Sequence, residues 1–133
     1  MLSYVTLGAD DLEAAGRFYD AALAPLGYVR LATKAREIGY GRPVAPGENA
    51  TIPFWVTRPF NGQPATFGNG VDVALDAPSR AAVDAFHAAA MACGGRDEGA
   101  PGLRPAYGPH FYTAYLRDLT GNKLNAVFNQ PAG

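Results

Sequence analysis

Residues 111–128 read FYTAYLRDLTGNKLNAVF, and this stretch decides the fold. An aromatic and β-branched run (Phe111, Tyr112, Thr113, Tyr115, Leu116) stops at Arg117-Asp118, passes through Leu119-Thr120-Gly121-Asn122 and restarts at Lys123-Leu124-Asn125-Ala126-Val127-Phe128. Strand formers bounded by turn formers predict a hairpin. Asp118 is placed to accept hydrogen bonds from the loop, and Gly121 and Asn122 tolerate the positive φ of a tight reversal. Strand side chains alternate, so Leu124, Ala126 and Phe128 share one face while Asn125 and Val127 share the other. Asn125 is therefore expected to face away from the core.

Working outward to the amino-terminal end, residues 2–7 alternate as a short strand. Asp10 and Glu13 follow at the spacing of a capping box. Leu12, Ala15, Phe18 or Tyr19, Ala22 and Leu26 then recur at helical spacing, and Pro25 with Gly27 end the helix. Further strands are predicted over 28–32, 36–40 and 51–57, the last weakened by Pro53, which gives up a ladder donor. Residues 41–49 (GRPVAPGEN) and 61–69 (NGQPATFGN) are loops of turn formers.

The second half repeats the first. A shift of 68 positions (72 − 4) sets Tyr4 on Asp72, Val5 on Val73, Leu7 on Leu75, Phe18 on Phe86 and Gly27 on Gly95. A strand, a helix, a core phenylalanine and a terminating glycine in one ungapped register point to an internal duplication. Residues 71–75 are then a strand. Pro78 opens a helix with Val83, Phe86, Ala90 and Cys93 inward, closed by Gly94-Gly95. Residues 95–98 form a short second strand, and a long loop over 99–109 leads to the hairpin. Each half reads as one strand, one helix and three strands: a single domain over 1–133, with module one at 1–60, a linker at 61–69 and module two at 70–130.

Composition narrows the function. At 48% hydrophobic and 17% charged, the 133-residue chain suits a globular domain with a substantial core. A net charge of −1 gives no reason to expect nucleic acid or an anionic membrane as partner. The single cysteine, Cys93, makes no internal disulfide and packs as an apolar side chain. The start MLSYVTLG lacks the features of an export signal, so the expected location is the cytoplasm.

With its βαβββ halves, the helix in YVTLGADDLEAAGRFYDAALAPLGY and the ending RDLTGNKLNAV, the chain resembles the vicinal oxygen chelate superfamily: glyoxalase I, bleomycin and fosfomycin resistance proteins and extradiol dioxygenases. The resemblance covers nearly the whole chain. It implies an α+β fold of two βαβββ modules, with curved mixed sheets, helices on the convex side and a small-molecule cleft on the concave side. It also implies a homodimer.

The superfamily's enzymes hold a divalent metal with His or Glu at set positions. The resemblance places those positions at Tyr4, at Asp72, at Asn125 and within 54–57, where there is no carboxylate or imidazole. None keeps its usual ligand, and a Tyr, one Asp and an Asn amide make a poor first shell for Zn²⁺ or Mg²⁺. No metal and no other cofactor are expected. Alternation puts Tyr4, Asp72 and Asn125 on the concave faces, opposite Val5, Leu7, Val73, Leu75, Leu124 and Ala126. They serve either a ligand or one another, since buried polar groups are normally paired for stability alone.

The remaining candidates are Trp55 and Arg58, an aromatic and a cation near the end of module one, and Arg104, Tyr107 and His110 in the loop before the hairpin. His87 reads as helix surface. Two functions stay open. One is stoichiometric binding of an unidentified small molecule without a metal, as in the bleomycin resistance proteins. The other is a divergent glyoxalase-like lyase or dioxygenase, with Asp72 and His110 as catalytic candidates on a non-standard metal or acting by acid-base chemistry.

Overall fold

The computed structural model describes residues 1–132. Module one runs β1 (Val5–Gly8), α1 (Leu12–Leu23), a single 3₁₀ turn (Ala24–Leu26), β2 (Val29–Thr33), β3 (Glu37–Gly41) and β4 (Phe54–Thr57). Module two runs β5 (Val73–Asp76), α2 (Arg80–Ala92), β6 (Arg96–Leu103), a short 3₁₀ turn (Pro105–Tyr107), β7 (Phe111–Arg117) and β8 (Lys123–Asn129). Each module is a four-stranded mixed sheet, in the orders β1-β4-β3-β2 and β5-β8-β7-β6. The first strand of each pairs in parallel with the last, and the other pairings are antiparallel. This is the α+β architecture of two βαβββ modules.

The internal repeat is preserved where backbone chemistry sets it. Asp11 caps α1 through the Ala14 N–H and Ser79 caps α2 through the Ala82 N–H, both at 3.0 Å and 68 positions apart (79 − 11). A side-chain oxygen at this position satisfies an amide that the helix leaves unpaired. The cap is thus Asp11, not Asp10, whose carboxylate accepts from the Ala65 N–H at 2.7 Å and ties the linker to the start of α1. Likewise Pro78 lies outside α2, because Ser79 in front of the helix takes the capping role. Phe18 and Phe86 are each 1% exposed, at matching positions under their sheets.

Other boundaries move for reasons the pattern hides. Only Phe54–Thr57 of the stretch 51–57 is strand, since Pro53 has no N–H to donate, although its carbonyl still accepts from Val5 N–H. β6 extends to Leu103, with irregular pairing at Gly99 and Gly102 that sequence alternation does not reveal. In the hairpin loop Gly121 has φ of 102° and Asn122 does not take a positive φ. At the end of α2 the left-handed residue is Gly94, one position before the repeat partner of Gly27.

The core lies between the helices and the inner faces of both sheets, with Leu7, Ile38, Tyr40, Val56, Val83, Leu116, Leu124 and Ala126 buried. The hairpin loop locks the modules together. Asp118 accepts from the backbone N–H groups of Thr120, Gly121 and Asn122, from Asn122 Nδ2 and from the Tyr19 hydroxyl of α1. Asn122 Nδ2 also donates to Gly8 of β1. Burial pushes the Tyr19 phenol well above its ordinary range, and the Asp118 carboxylate pushes the same way.

Candidate functional site

In module two the residues that alternate with the core strip form three rows on the face turned away from α2. β8 pairs with both β5 and β7, so Ala74, Asn125 and Tyr115 lie side by side, as do Asp76, Val127 and Thr113. Continuing the register one step from Val73↔Leu124 brings Asp72 beside Lys123, which itself faces Arg117. Two of these, Asn125 and Thr113, are buried, at 2% and 0% exposure. In the amide orientation that satisfies both neighbours, Asn125 donates to Asp72 Oδ2 at 2.8 Å and accepts from Thr113 Oγ1 at 3.1 Å.

Asp72 keeps an open side toward solvent. Desolvation of its inner side raises its carboxyl above the ordinary value, while Lys123 and Arg117 pull it back down. Across the row Tyr115 carries Lys123 Nζ 5.3 Å and the Arg104 guanidinium 5.8 Å from its ring centre. Burial raises the Tyr115 phenol, with the negative charge of Asp72 adding to the effect.

The cations on this face differ in freedom. Arg117 donates to Glu98 at 3.1 Å and to the Gly121 carbonyl at 3.0 Å. It also stands over the Phe67 ring, which packs where a Cβ on Gly121 would sit. Arg104 is held by the carbonyls of Gly102 and Ala100, each at 2.9 Å. Among the described residues the Lys123 side chain makes no hydrogen bond and no ion pair, and its ammonium lies against the Tyr115 ring. Tyr115 and Lys123 were not picked out from the sequence, although the same alternation that placed Asn125 also places them.

β1 and β5 are the edge strands of their sheets, and a cleft of about 290 Å³ lies between them. Leu23, Tyr28, Phe54, Val73 and Leu75 give it apolar walls, and Tyr4 and Asp72 both line it. Trp55 stands on the open face of module one with Tyr4, Thr6 and Glu37. Its ring covers Gly39, where an added Cβ would fall 2.8 Å from the indole, and Lys34 Nζ lies 5.3 Å from it.

The other candidates lie apart. Arg58 borders a separate hollow with Asp10, Arg36 and Gln63. Tyr107 is exposed and packs edge-on against Phe111, with ring centres 5.4 Å apart. His110 precedes the Phe111↔Asn129 end of the hairpin, whereas Asp72 is at the Arg117↔Lys123 end. That is about 20 Å along the strand, so the two do not act on one atom. His87 is not free surface: its ring is 13% exposed and its Nε2 lies 2.8 Å from Asp97. Cys93 ends α2 half-buried.

A hollow of similar size at the start of α1 is lined by Asp10, Asp11 and Asp118. Each of these carboxylates already accepts a backbone N–H, which makes the hollow part of the scaffold. Among the described residues no group of three or more His, Cys, Asp or Glu is arranged to hold a metal ion. At the superfamily's metal positions the donors do not fit one: Tyr4 stands in place of an imidazole, and Asn125 turns its amide nitrogen to Asp72.

Among solved structures, a glyoxalase/bleomycin resistance protein from Albidiferax ferrireducens T118 is 42% identical, with a TM-score of 0.82 over 96% of this chain and 97% of that one. The chain belongs to the glyoxalase/bleomycin resistance protein family. More distant members of the family's fold are a glyoxalase-related enzyme from Fulvimarina pelagi (22% identity, TM-score 0.72, 97% of this chain and 88% of that) and a lactoylglutathione lyase from Agrobacterium tumefaciens (20%, 0.60, 96% and 92%). At those identities the likeness is one of fold. No family model and no curated protein matches the chain. No helix of this family member, among the described residues, is long and apolar enough to cross a membrane.

Proposed function

We propose that this family member is a metal-independent small-molecule-binding protein, with its ligand held in the cleft between β1 and β5. The observation that carries the reading is that cleft itself, about 290 Å³ with apolar walls and the carboxylate of Asp72 at its lining. Ligand sites are typically apolar concavities with a few placed polar groups, and this one is at the small end of the usual range. Asp72 is oriented by Asn125, which is in turn held by Thr113. Its open side can accept a hydrogen bond from a ligand hydroxyl or amine.

The proposed assembly is a homodimer in the cytoplasm, with neither nucleic acid nor membrane as partner. An enzymatic reading rests on one feature, the raised carboxyl of Asp72, which suits proton transfer nearer to neutral pH. In that reading Asp72 works without His110 and without a metal.

The test is a thermal-unfolding screen against compounds of all charge types, repeated on Asp72→Asn, with metal analysis of the purified protein. Binding that stabilises the wild type and weakens in Asp72→Asn, with no stoichiometric metal, supports the proposal. A tightly held metal near one equivalent, or ligand affinity indifferent to Asp72, overturns it. Turnover of a bound compound that is lost in Asp72→Asn favours the enzymatic reading.

A further inference from the structure

The polar groups beyond the cleft narrow the ligand. Asp72, just before β5, lines the apolar cleft, and on the open face of its sheet the next residue across is Lys123 on β8, with Tyr115 of β7 in the adjoining row. Neighbouring strands are about 4.8 Å apart, so the backbones that carry this carboxylate and this ammonium are one strand spacing from each other. The two charged groups form no ion pair together. Asp72 takes the Asn125 amide, and Lys123 lies against the Tyr115 ring.

Stability gives only part of the reason for this placement, through the attraction of Lys123 to Asp72 and its contact with the Tyr115 ring. Lys123 stands directly across from Arg117, and like charges opposed on one face of a sheet repel. Arg117 is paired with Glu98, whereas the Lys123 ammonium closes no ion pair with the carboxylate beside it. A cation and a carboxylate that stand beside each other without closing an ion pair, next to an apolar hollow, are complementary to a molecule carrying both charges and an apolar tail.

We propose, on the basis of the binding reading above, that the ligand is a free 2-amino acid with an apolar side chain. Its ammonium meets Asp72, its carboxylate meets Lys123, and its side chain fills the cleft between β1 and β5. The modest cleft volume limits the side chain to a branched aliphatic group or a single ring.

The experiment titrates the full-length protein with L-phenylalanine, 3-phenylpropionate, phenethylamine and 3-phenyllactate. The wild type is compared with Lys123→Gln and Asp72→Asn, after circular dichroism confirms that both variants fold. L-phenylalanine is expected to bind tightest. Lys123→Gln should weaken L-phenylalanine, 3-phenylpropionate and 3-phenyllactate about tenfold, the scale of one charge-assisted contact, and leave phenethylamine unchanged. Asp72→Asn should weaken L-phenylalanine and phenethylamine and spare 3-phenylpropionate. Equal loss for all four probes in Lys123→Gln overturns the assignment, as does 3-phenyllactate binding more tightly than L-phenylalanine. If none of the four binds while a neutral compound from the screen binds in an Asp72-dependent way, the ligand class is wrong and the cleft reading stands. If nothing of any charge binds, both fall.

Discussion

The two modules start from one plan and diverge on opposite sides of it. Their inner faces agree: Asp11 and Ser79 cap helices that begin at matching positions, and Phe18 and Phe86 are equally buried. Their open faces do not. Module one carries Trp55, Tyr4 and Glu37 there, while module two carries Asp72, Lys123, Arg117 and Tyr115. Packing fixes volume and period along the whole covered side, whereas on the open side of module two burial is comparable only at Asn125 and Thr113. Between these extremes stands the pair Tyr19 and His87, equivalent in the repeat (87 − 19 = 68). Tyr19 is buried and reaches across modules to Asp118, whereas His87 meets an exposed Asp97 within its own module.

The largest effects should test the equivalence of the covered faces. Phe18→Ala and Phe86→Ala are each expected to cost about 3–5 kcal/mol in denaturant unfolding, through lost burial and the cavity left behind. Values that differ by more than the spread of repeated measurements would break the equivalence, by showing that one module carries the core. Asp118→Ala should come next, at about 3 kcal/mol, because it strands several donors in the loop that joins the modules. Its unfolding should lose cooperativity between the modules if that loop is their main lock.

Tyr19→Phe should cost about 1–2 kcal/mol, since Asp118 keeps its other donors. On the outer side of the comparison, Asp97→Asn should lower Tm by no more than about 2 °C. The Gly99 N–H, then the His87 ring, hold the Asp97 carboxyl below its ordinary value. A depressed carboxyl favours the folded state above the unfolded-chain pKa and loses that advantage as pH falls through the folded value. The difference between wild type and Asp97→Asn should therefore close below about pH 4, and a difference that persists there would mean that charge is not its source.

Asp72 has the opposite sign. Its raised carboxyl means the folded protein binds the proton more tightly, so its contribution to stability falls as pH rises above the ordinary carboxylate range. Asp72→Asn at neutral pH should leave stability within about 0.5 kcal/mol of wild type, or slightly above it, while ligand affinity drops. A clear loss of stability with unchanged affinity would return Asp72 to a structural role.

Much of this could be read from residue order alone. Hydrophobic period placed both helices and the hairpin, the 68-residue shift placed the modules, and alternation put Asn125 and Asp72 on the open face and Leu124 and Ala126 on the covered one. These are properties of neighbours in the chain, and each has a fixed period. What depended on partners far apart in sequence was not legible. Asp10 and Asp11 compete for one cap, and the winner is settled by Ala65, which offers Asp10 another donor. Asp118 looked like a turn residue and is also the bond between modules, because α1 brings Tyr19 to it. His110 and Asp72 looked like possible partners until the strand register set them at opposite ends of the sheet. The contrast on which the ligand assignment rests, Lys123 unpaired beside Asp72 while Arg117 and Arg104 are engaged elsewhere, exists only in the folded chain. Local pattern therefore determined the elements and their faces. Tertiary packing decided which polar groups are spent on one another and which remain available, because that depends on distances between segments that the order of residues does not encode.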